Sequence, residues 1–108
     1  SVILNTDDGE MKIMISEIMY YETEKRKIAL YLTNGKKLLV NRTITEMQEH
    51  IQNEKFIMIH RSCVVNTDHI LNIHDNTLIL DNNLSLIISR PRYKEVKQKI
   101  LKMWGALI

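Results

Sequence analysis

Short apolar runs with a two-residue rhythm dominate the chain. Val2–Leu4 opens it, and Met11, Ile13 and Ile15 then alternate with Lys12 and Met14. Met19, Tyr21 and Thr23 share one parity; Ile28, Leu30 and Leu32 alternate with Ala29 and Tyr31. Side chains two apart lie on one face of a strand, so each run predicts a half-buried β-strand. Asn34-Gly35 before Leu38–Val40 is a strong hairpin signal and predicts a β-hairpin across Lys27–Val40. The period then lengthens. Thr43-x-x-Glu46 fits a capping box, and Ile44, Met47 and Ile51 recur at helical spacing, which predicts a short helix ending near Asn53. Strands resume at Ile57–Ile59, Cys63–Val65 and Ile70–Ile73, and Thr77–Leu80 and Leu84–Ile88 flank an Asp81-Asn82-Asn83 turn. A final helix begins near Pro91, with an apolar stripe of Tyr93, Val96, Ile100, Met103 or Trp104, and Leu107 expected to pack on the domain. The lysines at 94, 97, 99 and 102 lie off that stripe. No alternating β-α-β units occur, which excludes a doubly wound nucleotide fold.

At 108 residues the chain holds one domain around one core and leaves no room for a multi-domain enzyme. An apolar share of 44% excludes a disordered chain, and a single cysteine excludes an internal disulfide framework. No apolar run approaches the ~20 residues of a membrane span. The net charge of +2 hides a block structure. Residues 1–24 carry six acids and one base, and residues 25–42 carry six bases and no acid. Residues 43–89 carry six acids and two bases, and residues 90–108 carry six bases and one acid. Two basic blocks in an acidic chain suit a polyanion-binding face if the fold unites them, and equally suit a solvated surface.

The residues that would carry catalysis are missing. Gly9, Gly35 and Gly105 are too far apart for a phosphate loop, and no paired cysteines offer a zinc site. Cys63 in Cys63-Val64-Val65 reads as a buried core thiol rather than a nucleophile served by His60. His50 is expected on a helix surface, and His69 and His74 on turns. The chain is read as no enzyme, with no cofactor and no metal.

The run Phe56-Ile57-Met58-Ile59-His60-Arg61-Ser62-Cys63-Val64-Val65-Asn66 resembles the Phe-x-x-x-His-Arg-Ser-x-Val-Val-Asn signature of the LytTR family of bacterial DNA-binding domains. Glu17–Glu22, Leu38–Ile51 and Leu86–Arg90 followed by Tyr93-Lys94 are similar to further family landmarks in order and spacing, so the resemblance spans nearly the whole chain. It implies a mainly β fold of elongated antiparallel sheets with a short middle helix and a C-terminal helix. It also implies an output domain of a bacterial, cytoplasmic response regulator, with an upstream receiver domain that a start at Ser1 rather than Met would accommodate. Strand-end loops would enter successive major grooves of double-stranded DNA, with a second copy on a direct-repeat promoter site.

Carried over by motif, the base-contacting positions are Arg26, Arg61 and Arg90, with Lys25 an alternative at the first. Arginine pairs with guanine O6 and N7, so guanine-containing sites are expected. Lys25, Lys27, Ser62, Asn66 and Arg92 flank these readers and are expected to contact phosphate. Lys36 and Lys37 lie beside the hairpin turn, away from the site. His60 is expected to position the Arg61 loop by a hydrogen bond. Ser89 is expected to cap the last helix, whose first amides would help hold a phosphate. The competing readings are a small β-barrel stacking single-stranded nucleic acid on aromatics, and a protein-interaction module using Met103–Ile108.

Overall fold

The computed structural model describes residues 1–105. Along them run β1 (Val2–Thr6), β2 (Gly9–Ile13), β3 (Ile18–Glu24), β4 (Lys27–Leu32), β5 (Lys37–Val40), α1 (Ile44–His50), β6 (Phe56–His60), β7 (Cys63–Asn66), β8 (Ile70–His74), β9 (Thr77–Leu80), β10 (Ser85–Ile87) and α2 (Tyr93–Met103). Single 3-10 turns fill Ile15–Glu17, Thr67–His69 and Arg90–Arg92. The strands form a seven-stranded antiparallel sheet in the order β2-β1-β5-β4-β3-β7-β6 and a three-stranded one in the order β10-β9-β8. The body measures 43 × 24 × 24 Å, the elongated mainly β architecture expected. Among the described residues no helix is long and apolar enough to cross a membrane.

Two apolar clusters flank the large sheet. One gathers Leu4, Ile13, Tyr21, Leu30 and Leu38 under Met47 of α1. The other gathers Ile57, Ile59, Val65, Leu78 and Leu80 with Val96 and Ile100 of α2. β7 serves both, because Val64 joins the first cluster and Cys63 and Val65 the second. A strand buried on both faces reads as a continuous apolar run, which explains Cys63-Val64-Val65. His69 ties the sheets together: Nε2 donates to the Ser16 carbonyl at 2.7 Å, and Nδ1 lies 2.8 Å from Asp81 Oδ2. It sits on the turn expected for it, whereas His74 is the last residue of β8.

Most elements form where their pattern places them, with instructive differences. Met19 and Tyr21 do not share a face. A bulge between Ile18 and Tyr20 sends Met19 and Tyr20 to the second cluster and leaves Ile18 and Tyr21 in the first. An inserted residue breaks the period of two, which no parity count detects. β2 stops at Ile13, so Ile15 belongs to a 3-10 turn. The Thr43 capping box is present: Thr43 Oγ1 accepts from the Glu46 amide at 3.1 Å, and Glu46 Oε1 accepts from the Thr43 amide at 2.8 Å. Those bonds hold the Glu46 carboxyl below its ordinary value. The helix ends at His50, three residues before the expected Asn53. His50 lies on its surface, where Nε2 donates to the Ile3 carbonyl at 2.9 Å. On α2 only Val96 and Ile100 are fully buried; Met103 and Trp104 are exposed, and Leu107 lies outside the described residues.

Two hairpins of the large sheet, β4–β5 and β3–β4, turn in opposite ways to their composition. At Asn34-Gly35 the loop is three residues long, Thr33–Gly35, closed by the Leu32 amide on the Lys36 carbonyl at 3.0 Å. Only Gly35 is left-handed there, at φ 85°. The β3–β4 hairpin has no glycine, yet Glu24 pairs with Lys27 and leaves a two-residue loop of Lys25 (φ 47°) and Arg26 (φ 69°). Two positive φ angles make this the primed turn whose twist suits a tight hairpin, ordinarily the place of Asn-Gly.

Candidate nucleic-acid interface

Three loops carry the expected arginines, and antiparallel pairing brings all three to one end of the sheet. β3 pairs with β7 in the register Tyr20 to Val65, Tyr21 to Val64 and Glu22 to Cys63. The end of β3, with its Lys25-Arg26 turn, therefore lies beside the start of β7, with Arg61 and Ser62. The Thr23 amide seals the junction by donating to the Ser62 carbonyl at 2.9 Å. The third loop joins through the Ser89 amide, which donates to the Ile59 carbonyl at 2.9 Å and sets Arg90 beside the His60 end of β6. Segments distant in sequence, from Arg26 through Arg61 to Arg90, thus meet on a frame of sheet backbone.

Lys25, Arg26, Lys27, Arg61 and Arg90 are all exposed. Among the described residues none of the five joins an ion pair, whereas Lys36, Lys37, Lys55 and Lys99 each pair with an acid. The end of the sheet therefore presents uncompensated positive charge.

The His60 ring bonds to Ser62 across the Arg61 turn. The Ser62 amide donates to His60 Nδ1 at 3.2 Å, and Ser62 Oγ lies 2.9 Å from the same nitrogen. An Nδ1 that accepts leaves the ring proton on Nε2, which the exposed side chain turns outward. Ser62 is half-buried by this contact. Arg92 is half-buried too, its guanidinium lying 3.3 Å from Met58 Sδ on β6.

Two expected roles need correction. Asn66 is fully buried and its amide is spent inside the protein. Nδ2 donates to the Ile18 carbonyl at 2.9 Å, and Oδ1 accepts from the Asp68 amide at 3.0 Å. It caps the Thr67–His69 turn and anchors the start of β3, so it offers nothing to a phosphate. Ser89 does stand at the N-terminal cap, and the Arg92 amide donates to it, but to its carbonyl at 3.0 Å. The hydroxyl is buried and takes no part in capping. The 3-10 turn over Arg90–Arg92 separates Ser89 from the first turn of α2, which begins at Tyr93.

Cys63 is the core thiol expected. It is 6% exposed, and burial, with Glu22 adding to it, pushes its pKa up to about 12. Such a thiol holds almost no thiolate at neutral pH and makes no nucleophile. Sequence reasoning missed Lys37. It reaches across from β5 to Glu24 beside the Lys25-Arg26 turn, Nζ to Oε1 at 2.8 Å. Strand register alone does not signal it, because Lys37 stands opposite Tyr31 on β4 whereas Glu24 stands opposite Lys27, so the pair forms only by a long diagonal reach.

The family model described as the LytTr DNA-binding domain matches residues 8–101. Among solved structures, the chain is similar to the LytTr DNA-binding domain of a Bacillus cereus protein described as a methyl-accepting/DNA response regulator. The identity is 27% and the TM-score 0.77, over 93% of this chain and 94% of that one. No curated protein matches the chain. With the family signature on the β6–β7 turn and a match over most of its length, the chain belongs to the LytTr DNA-binding domain family.

Proposed function

We propose that this domain binds double-stranded DNA in a sequence-specific manner, as the output module of a bacterial transcription regulator in the cytoplasm. The observation that carries the reading is the convergence of three exposed, unpaired arginines, on three separate loops, at one end of one sheet. Arg26, Arg61 and Arg90 read guanines from the major groove, each good bidentate pair contributing ~1–3 kcal/mol of base discrimination. Lys25, Lys27, Ser62 and Arg92 hold phosphates around them and set the register. The site is a direct repeat occupied by two copies, and a receiver domain upstream supplies the signal. Against a single-strand reader stands the composition of this surface: residues 23–27, 60–62 and 89–92 include no Phe, Trp or Tyr to stack bases on.

The test is selection of bound duplexes from a randomised pool at two salt concentrations. Enrichment of a guanine-containing repeat, with affinity falling steeply as salt rises, is the expected result. Equal retention of single strands, or no enrichment at either salt, would overturn the proposal.

A further inference from the structure

The first reading loop follows directly on an acid. Glu24 precedes Lys25-Arg26 and stands opposite Lys27 in the β3–β4 register, the position where an antiparallel pair forms a cross-strand ion pair. It does not pair with Lys27. Its Oε1 is taken by Lys37 Nζ at 2.8 Å, from a strand beyond β4. Lys37 is itself fixed: its ammonium lies 5.9 Å from the centroid of the Tyr31 ring, and Tyr31 stacks on Tyr20 with centroids 4.4 Å apart. The Tyr31 hydroxyl donates to Glu22 Oε1 at 3.4 Å, so the other acid on this part of β3 is also engaged from the same side. The Lys37 ammonium has its pKa raised, chiefly by the bond to Glu24.

We propose that Lys37 is a positioning residue for DNA binding: by holding the Glu24 carboxylate against β5 it keeps Lys25, Arg26 and Lys27 free for the nucleic acid. The inference rests on the DNA-binding reading above. Lys37 touches no DNA itself. Without it, Glu24 turns to Lys27 or Arg26, one cation is withdrawn from the phosphates, and a carboxylate faces the backbone. The pair is half-exposed, with side-chain accessibilities of 42% and 39%, so its own contribution to stability is small. Its effect lies in what the carboxylate does when released.

The experiment is a double-mutant cycle on this domain with a tightly bound duplex, followed across salt concentration. K37Q is expected to weaken binding about three- to tenfold and to shrink the slope of log K against log salt by about 0.9, one counterion fewer. E24Q is expected to bind at least as well as the unmodified domain. In the E24Q background K37Q is expected to change almost nothing, because no carboxylate remains to be released. K36Q removes the same charge from the neighbouring position, where Lys36 pairs with Asp8 at 3.5 Å, and is expected to leave affinity within twofold. Additive effects of E24Q and K37Q, or an equal loss in K36Q, would mean that only overall charge matters and would overturn the inference. Failure of the unmodified domain to bind any duplex would overturn the underlying reading, and the inference with it. Unchanged melting temperatures in K37Q and E24Q separate these outcomes from unfolding.

Discussion

The Lys25-Arg26 turn predicts that stability and binding move in opposite directions in one double substitution. Both residues have positive φ, 47° and 69°, in a hairpin loop without glycine. For a residue with a Cβ this conformation costs roughly 1–2 kcal/mol. Substituting Asn at 25 and Gly at 26 supplies the pair that such a turn favours. Glycine adds back about 0.4–1 kcal/mol of chain entropy in the unfolded state, and asparagine retains part of the strain. The net gain is about 1–2 kcal/mol, which in a domain of this size raises Tm by about 4–10 °C. Binding should fall, because Arg26 and one flanking lysine are gone. The loss of one bidentate guanine pair is ~1–3 kcal/mol, or about 5- to 150-fold in affinity. Urea titration and thermal melts measure the first effect, and fluorescence anisotropy with the selected duplex the second. A double variant no more stable than the original would refute the strain argument. Undiminished affinity would show that this loop does not face the DNA.

Further outcomes follow from the same geometry. Asn66→Ala should cost about 1–3 kcal/mol in a urea titration, since it strands the buried Ile18 carbonyl and frees the part-buried Asp68 amide, while the folded fraction keeps its affinity. Arg61→Ala should relax sequence preference at one guanine of the site without lowering Tm, and Arg92→Ala should weaken all duplexes alike and flatten the salt dependence; a change of base preference in Arg92→Ala would contradict its assignment. Cys63 should resist alkylation at pH 8 until denaturant is added. Because its folded pKa, about 12, lies above the value for an exposed thiol, the folded state keeps a proton that the unfolded state releases. Stability should therefore fall as pH rises from about 9, and Cys63→Ala should remove the part of the fall that sets in first, leaving the later fall due to the buried hydroxyls of Tyr20 and Tyr21, whose pKa values burial also raises.

Local chemistry made much of this legible in the sequence, and long-range pairing accounts for the rest. The Thr43 box and the apolar run at Cys63–Val65 are short-range signals, and both elements form where they point. Block charge flagged Lys25–Arg42 as basic, but not which cations are free, since Lys36 and Lys37 are taken by acids distant in sequence. Asn66 was misassigned because a polar residue after an apolar strand reads as surface, whereas its partners lie in the Ile15–Ile18 segment, 48 to 51 residues away. The expected cap at Ser89 followed from residue type alone. The chain inserts a 3-10 turn that takes the bond at the carbonyl instead. Convergence of the three arginine-bearing loops depends on the β3–β7 register and the Ser89–Ile59 bond, contacts that no local window contains.

The proposed reading of a guanine by each of three arginines at one end of the sheet ties each side chain to one base. Its most direct test pairs Arg26→Ala, Arg61→Ala and Arg90→Ala with duplexes in which single guanines of the selected site are replaced by 7-deazaguanine, which lacks the N7 acceptor. A matched pattern is expected. The unmodified domain loses affinity at each contacted guanine, and each variant becomes indifferent at one guanine while staying sensitive at the others. Losses that simply add for every variant and every position would contradict it, since the arginines would then be holding phosphates and the sequence would be read elsewhere.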